Sequence, residues 1–145
     1  MTNLTDHQYA EDGRIPFAFG GSGSGRIHCA STWGTANLTV NSQHRLFKAL
    51  KACYVSNFAF TSSDMDTHAT PLLKWDIGTA DDDDEFVSDA TVGQTGDVTL
   101  TNVVDESTVA GFELAAGDYI ILSVSAAPAT AAAGTTLVSF DCATL

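Results

Sequence analysis

The stretch Tyr119-Ile120-Ile121-Leu122-Ser123-Val124-Ser125, echoed by Leu137-Val138-Ser139-Phe140-Asp141-Cys142, decides the fold. Ile120, Leu122 and Val124 alternate with Ile121, Ser123 and Ser125; Val138, Phe140 and Cys142 alternate with Leu137, Ser139 and Asp141. A period of two puts every second side chain on one face of an extended chain, so each run has an apolar face to bury. The pattern recurs upstream, where Leu73, Trp75 and Ile77 alternate with Leu72, Lys74 and Asp76. Shorter versions are Val98 with Leu100, Ile27 with Cys29, and Leu38 with Val40. These runs are rich in β-branched and aromatic residues and are separated by Gly, Asn, Asp and Thr clusters, the texture of half-buried antiparallel strands. The expected class is all-β: an antiparallel β-sandwich whose core includes Leu73, Trp75, Ile120, Leu122, Val124, Val138 and Phe140.

Three segments read less cleanly. Leu46, Leu50 and Cys53 fit a helical stripe, but Tyr54 to Phe60 is β-like, so a long strand through Phe60 is expected, with a short helix at its start as the rival. Asp81-Asp82-Asp83-Asp84-Glu85 places carboxylates where they can cap a short helical turn, and one turn is expected there. Pro128 and Gly134 oppose a helix in the Ala-rich stretch from Ala126 to Gly134, which reads as a hairpin loop joining the last two strands.

Residues 1–25 differ in texture from the 26–145 domain. Ile15, Pro16, Phe17 and Phe19 are too apolar for a free tail, yet the run from Gly20 to Gly25 is Gly and Ser only, a hinge too flexible for regular structure. The segment reads as an extended, flexible N-terminal arm that docks on a neighbouring subunit through Arg14, Ile15, Pro16, Phe17, Phe19 and Arg26. The alternative is an arm folded back over an edge of its own sheet.

The chain's 145 residues make one domain, and 44% hydrophobic residues with 17% charged ones describe a folded, soluble protein with no membrane-spanning run. A net charge of −12 makes nucleic acid and anionic membrane poor partners. All six Lys and Arg lie at or before Lys74, where the balance is +1, and the 13 carboxylates beyond it have no basic residue among them. Either the two halves occupy different ends of the fold, or they interleave in one sandwich and the bias is only sequential. The start, Met1-Thr2-Asn3-Leu4-Thr5-Asp6, has no secretory pattern, which points to folding in cytoplasm. Cys29, Cys53 and Cys142 are odd in number and lie in apolar stretches, so they read as reduced core thiols with no disulfide required.

Chemistry is hard to place on this sequence. Gly20 to Arg26 imitates a phosphate-binding loop but continues into a strand, and Gly23 stands where a nucleophile elbow needs Ser. Asp64, Asp66 and His68 share one face if extended and are a possible cation set, although the surrounding Ser and Thr favour a solvated loop. The Asp81–Glu85 run lacks the ligand spacing and turn glycine of a Ca²⁺ loop. His7, His28 and His44 are scattered without ligand spacing. No catalytic, cofactor-binding or metal residue is assigned, and the chain reads as a non-enzymatic binding protein.

The string from Ala115 to Ser125, the Ala/Thr-rich loop, and Gly134 to Asp141 resemble the C-terminal hairpin of small tailed-bacteriophage virion proteins of the head decoration or cement type. Ile77-Gly78-Thr79-Ala80 followed by Asp84-Glu85-Phe86-Val87 is similar to the strand, Gly-Thr turn and acidic short helix of that group. The resemblance covers roughly Leu46 to Asp141. It implies a jelly-roll-like β-sandwich on the capsid surface of a virion assembled in the host cytoplasm. The implied partners are the major capsid protein and further copies of the chain, in a homo-oligomer such as a trimer. A tail or fibre module binding host carbohydrate is the alternative, and it requires an exposed platform from Trp33, Trp75 or Tyr119.

Overall fold

The computed structural model describes residues 3–4, 24–94, 98–101 and 112–145. Among them the strands are β1 (Asn3–Leu4), β2 (Ser24–Trp33), β3 (Gln43–Lys48), β4 (Cys53–Ser62), β5 (Lys74–Gly78), β6 (Val87–Ala90), β7 (Val98–Thr101), β8 (Phe112–Leu114), β9 (Tyr119–Ala126) and β10 (Gly134–Thr144). The described residues include no α-helix, only a 3-10 turn at Thr35–Asn37.

One sheet runs β1-β3-β9-β5-β6 and the other β2-β10-β4-β7, with β8 also on β4. Consecutive strands from β2 to β5 alternate between the sheets, and the antiparallel pairs β2·β10, β3·β9, β4 with β7 and β8, and β5·β6 are nested. That nesting is a long hairpin rolled over on itself, which defines a jelly roll. β7 and β8 act as two parts of one edge, pairing with Ala59–Ser62 and Cys53–Val55 of β4. β1 is the exception in direction, lying parallel to β3 with Asn3 opposite Gln43 and Leu4 opposite His44.

The residues expected in the core from alternation are there. Leu73, Trp75, Ile120, Leu122, Val124, Val138 and Phe140 are all buried, as are the three free cysteines. Aromatics fill the space between the sheets: Phe58 stacks on Phe86 at 4.6 Å and on Phe140 at 5.2 Å, while Trp33 meets Trp75 edge-on at 4.9 Å. Both indoles find acceptors, Trp33 Nε1 on Thr136 Oγ1 and Trp75 Nε1 on the Val92 carbonyl, so neither donor is left dry. The two charge halves interleave, because each sheet contains strands from both sides of Lys74.

Four expectations are corrected. The segment expected as one strand through Phe60 is two strands in different sheets, because the chain crosses the sandwich between Lys48 and Cys53; Ala49 N donates to the Asp118 carbonyl there and Leu50 is exposed. The rival helix is likewise absent. Residues 126–134 are no hairpin loop, since β9 and β10 lie in opposite sheets and the loop carries the chain between them. At Asp81–Glu85 a helical turn gives way to a tight turn, in which Thr79 N donates to the Asp82 carbonyl and Asp84 N to the Asp82 carboxylate at 3.4 Å. Finally, Leu38 and Val40 do not alternate in a strand. They follow the 3-10 turn, and Asn41 takes a left-handed φ of 69° as the chain turns into β3.

Candidate interaction surfaces

Of the six residues expected to dock, Arg14, Ile15, Pro16, Phe17 and Phe19 lie outside the described residues. Arg26 is on the outer face of β2, and its guanidinium is engaged within its own domain. It meets Asp141 Oδ1 at 2.8 Å, the Asn57 carbonyl at 3.0 Å and Ser139 Oγ at 3.1 Å. Asn57, in a left-handed conformation at φ 53°, donates its side-chain amide to the other Asp141 oxygen. The position faces an irregularity in the β4·β10 ladder between Ser139 and Asp141, and the two side-chain bonds from Asn57 and Arg26 hold the Asp141 carboxyl below its usual range.

On the opposite outer face the acidic turn Asp81–Glu85 sits at one end of β5. The backbone of Asp82 and Asp83 lies against Gly78, where any Cβ would collide with it, so the acidic turn is pressed onto the end of β5. A cleft of about 580 Å³ opens beside it. Ile121 and Ser123 of β9 are part of its lining, Asp81 and Asp83 stand to one side, and Asn41 and Gln43 to the other. This explains a departure from simple alternation, since Ile121 and Ser123 point away from the core yet are buried. Burial pushes the neighbouring Asp76 carboxyl up, and the charges of Asp89, Asp83 and Asp84 add to the rise, against one hydrogen bond from Asp89 N. Carboxylate oxygens of Asp82, Asp83 and Asp84 lie within 4.8 Å of one another, all on exposed residues.

Asp66 proves to be a structural anchor. It is fully buried, and its two oxygens accept backbone N–H groups from His68, Leu72, Leu73, Ala129 and Thr130. These donors come from the β4–β5 and β9–β10 connections, so one carboxylate fastens two long loops together. Burial raises its proton affinity, but the array of backbone donors outweighs that and holds the group well below the usual carboxylate range. Asp64 is exposed and accepts from Asp66 N, and His68 Nδ1 is occupied by Thr70. The three residues expected as a possible cation set therefore do not converge.

Trp33 and Trp75 are core residues, so neither can serve as a platform for a sugar ring. Tyr119 is half-buried on the outer face, with Arg45 Cζ 4.9 Å and Lys48 Nζ 5.6 Å from its ring centroid, so two cations already occupy its neighbourhood.

What the fold defines is a jelly-roll sandwich with a packed aromatic core and polar outer faces. No family model matches the chain and no curated protein does. Among solved structures it is similar to a chain of the capsid of Ralstonia phage GP4, with a TM-score of 0.72, 17% identity and 99% of each chain covered. It is also similar to a chain of the cyanophage Pam1 capsid asymmetric unit, with a TM-score of 0.71, 18% identity, and 90% of this chain and 91% of that one covered. Likeness at this identity establishes a shared fold.

Proposed function

We propose that this protein is a non-enzymatic structural component of a tailed-phage virion, a decoration or cement protein bound to the major capsid protein on the outer surface of the head. The observation that carries the reading is the extent of the likeness: it covers 99% of a phage capsid chain and 99% of this one. The physical character of the molecule agrees. Its interior is filled with apolar side chains, which suits a rigid module better than one built around an internal ligand. Its charge of −12 suits the outside of a shell packed with DNA, where an interior DNA-binding component would be basic.

The arm supplies the attachment in this reading. Ile15, Pro16, Phe17 and Phe19 bury against a neighbouring subunit, with Arg14 and Arg26 flanking them, and the copies assemble as a homo-oligomer such as a trimer. Because Arg26 is already paired with Asp141, it contributes to docking mainly by holding the start of β2 in place. The decisive experiment is the copy number of the chain in purified particles, measured by quantitative mass spectrometry, together with labelling of intact particles by an antibody against the sandwich. Hundreds of copies accessible on full heads are expected. A handful of copies per particle means a tail component, and none means that the virion reading is wrong.

A further inference from the structure

Cys53 opens β4 and Cys142 lies near the end of β10. In the β4·β10 ladder Cys142 stands opposite Val55 and Thr144 opposite Cys53, so the two cysteines are diagonal neighbours. Both are buried on the core side, both are free, and each lies near enough to the other to shift its acidity, Cys53 down and Cys142 up. Cys29 is placed differently. It stands opposite Val138, four residues along β10, roughly 13 Å away at the usual rise per residue, and its thiol donates to the Leu46 carbonyl.

From this juxtaposition we propose that Cys53 and Cys142 are a reversible oxidation site, two thiols that fold reduced and close into a disulfide when the protein meets a peroxide. The chemistry balances in two steps. The Cys53 sulfur attacks one peroxide oxygen, the O–O bond breaks, water leaves, and Cys53 becomes a sulfenic acid. The Cys142 sulfur then attacks the Cys53 sulfur, the S–O bond breaks, and the thiol proton leaves with the hydroxide as a second water. Two thiols have lost two electrons and the peroxide has gained them.

The position of the pair sets its properties. It stands near the end of β10, where Ala143 and Thr144 are half-buried and Leu145 is exposed, so local opening of this end of the strand admits a small oxidant without unfolding the sandwich. The neighbouring Cys142 lowers the Cys53 thiol against the effect of burial, whereas Cys53 and burial both push Cys142 up, so Cys53 is the first to react. Diagonal neighbours start about 7–8 Å apart at Cα, and a disulfide needs less than about 7 Å, so the end of β10 draws toward β4 as the bond closes. A bond made under that strain is readily reduced, which makes it a clasp that opens and closes.

The test uses the full chain, purified in reductant, exchanged into buffer and exposed to hydrogen peroxide. Trypsin cleaves after Lys51 and Lys74, leaving Cys53 and Cys142 on different peptides. The expected result is loss of two of the three thiols per chain. Mass spectrometry without reduction should then show those two peptides linked within a monomer, and dithiothreitol should separate them. Cys29→Ala should keep the link and Cys53→Ala should abolish it. A folded chain that keeps its thiols while a urea-unfolded sample loses them overturns the proposal, as does a link that involves Cys29 or joins two chains.

Discussion

Two buried or half-buried carboxylates are moved in opposite directions, and each has a measurable consequence. Asp66 is held below the usual range by backbone donors from two loops. A depressed folded value means its contribution is present above the unfolded carboxyl value, about 3.9, and is lost as pH falls through the folded one. The melting temperature should therefore decline below about pH 4, with a shallower decline in Asp66→Asn, which has already lost the interaction. At pH 7 that variant should be about 3 kcal/mol less stable, because an amide nitrogen would face N–H donors, while Asp64→Asn should stay within about 0.5 kcal/mol. Chemical denaturation of the variants checks both values. Asp76 is the reverse case, pushed up by burial and by acidic neighbours. Asp76→Asn keeps an acceptor for Asp89 N and removes a charge from that group, so it should gain about 0.5 kcal/mol at neutral pH, and less in high salt. The sequence singled out Asp66 but not its role, because its donors at Ala129 and Thr130 are more than 60 residues away and only the fold brings them near.

At the level of elements, strands with one apolar face were legible and connections were not. Ile120, Leu122 and Val124 announce their burial by period alone, and Leu122→Ala should cost roughly 2–5 kcal/mol in equilibrium unfolding. Alternation does not say which sheet a strand joins, so the crossover between Lys48 and Cys53 and the sheet change between β9 and β10 were invisible. Nor does it reveal cover from outside, which is why Ile121 is buried on what reads as the solvent face. The acidic turn was misread because carboxylates favour a helix N-terminus, whereas Gly78 offers a surface bare enough for the turn to pack on directly. Gly78→Ala would place a methyl against the backbone of Asp82 and Asp83 and should cost about 1–3 kcal/mol. It should also lift the turn and expose Ile121. A variant as stable as the parent would mean that the turn does not rest on β5.

For the whole molecule the open question is attachment, and the arm is where stability and binding come apart. The sandwich from β2 onward contains the nested pairs that define the jelly roll, and the buried core of the described residues lies within it. Before it, among the described residues, β1 pairs Asn3 and Leu4 with the edge of β3, a two-residue parallel ladder that adds little to the fold. Under the proposed function the apolar residues Ile15, Pro16, Phe17 and Phe19 act on a neighbour, where burial of two phenylalanines can offset the cost of ordering the segment. Deleting residues 1–19 should thus leave the melting temperature within a few degrees of the parent, since a loss below about 0.5 kcal/mol moves it little in a domain of this size. The same deletion should lower occupancy on particles, or the oligomeric state by native mass spectrometry, several-fold. Phe17→Ser with Phe19→Ser should reproduce the loss while retaining β1, which separates apolar docking from strand pairing. A truncated chain that decorates fully shows that the sandwich face binds the shell by itself, and one that unfolds shows that the arm belongs to its own domain.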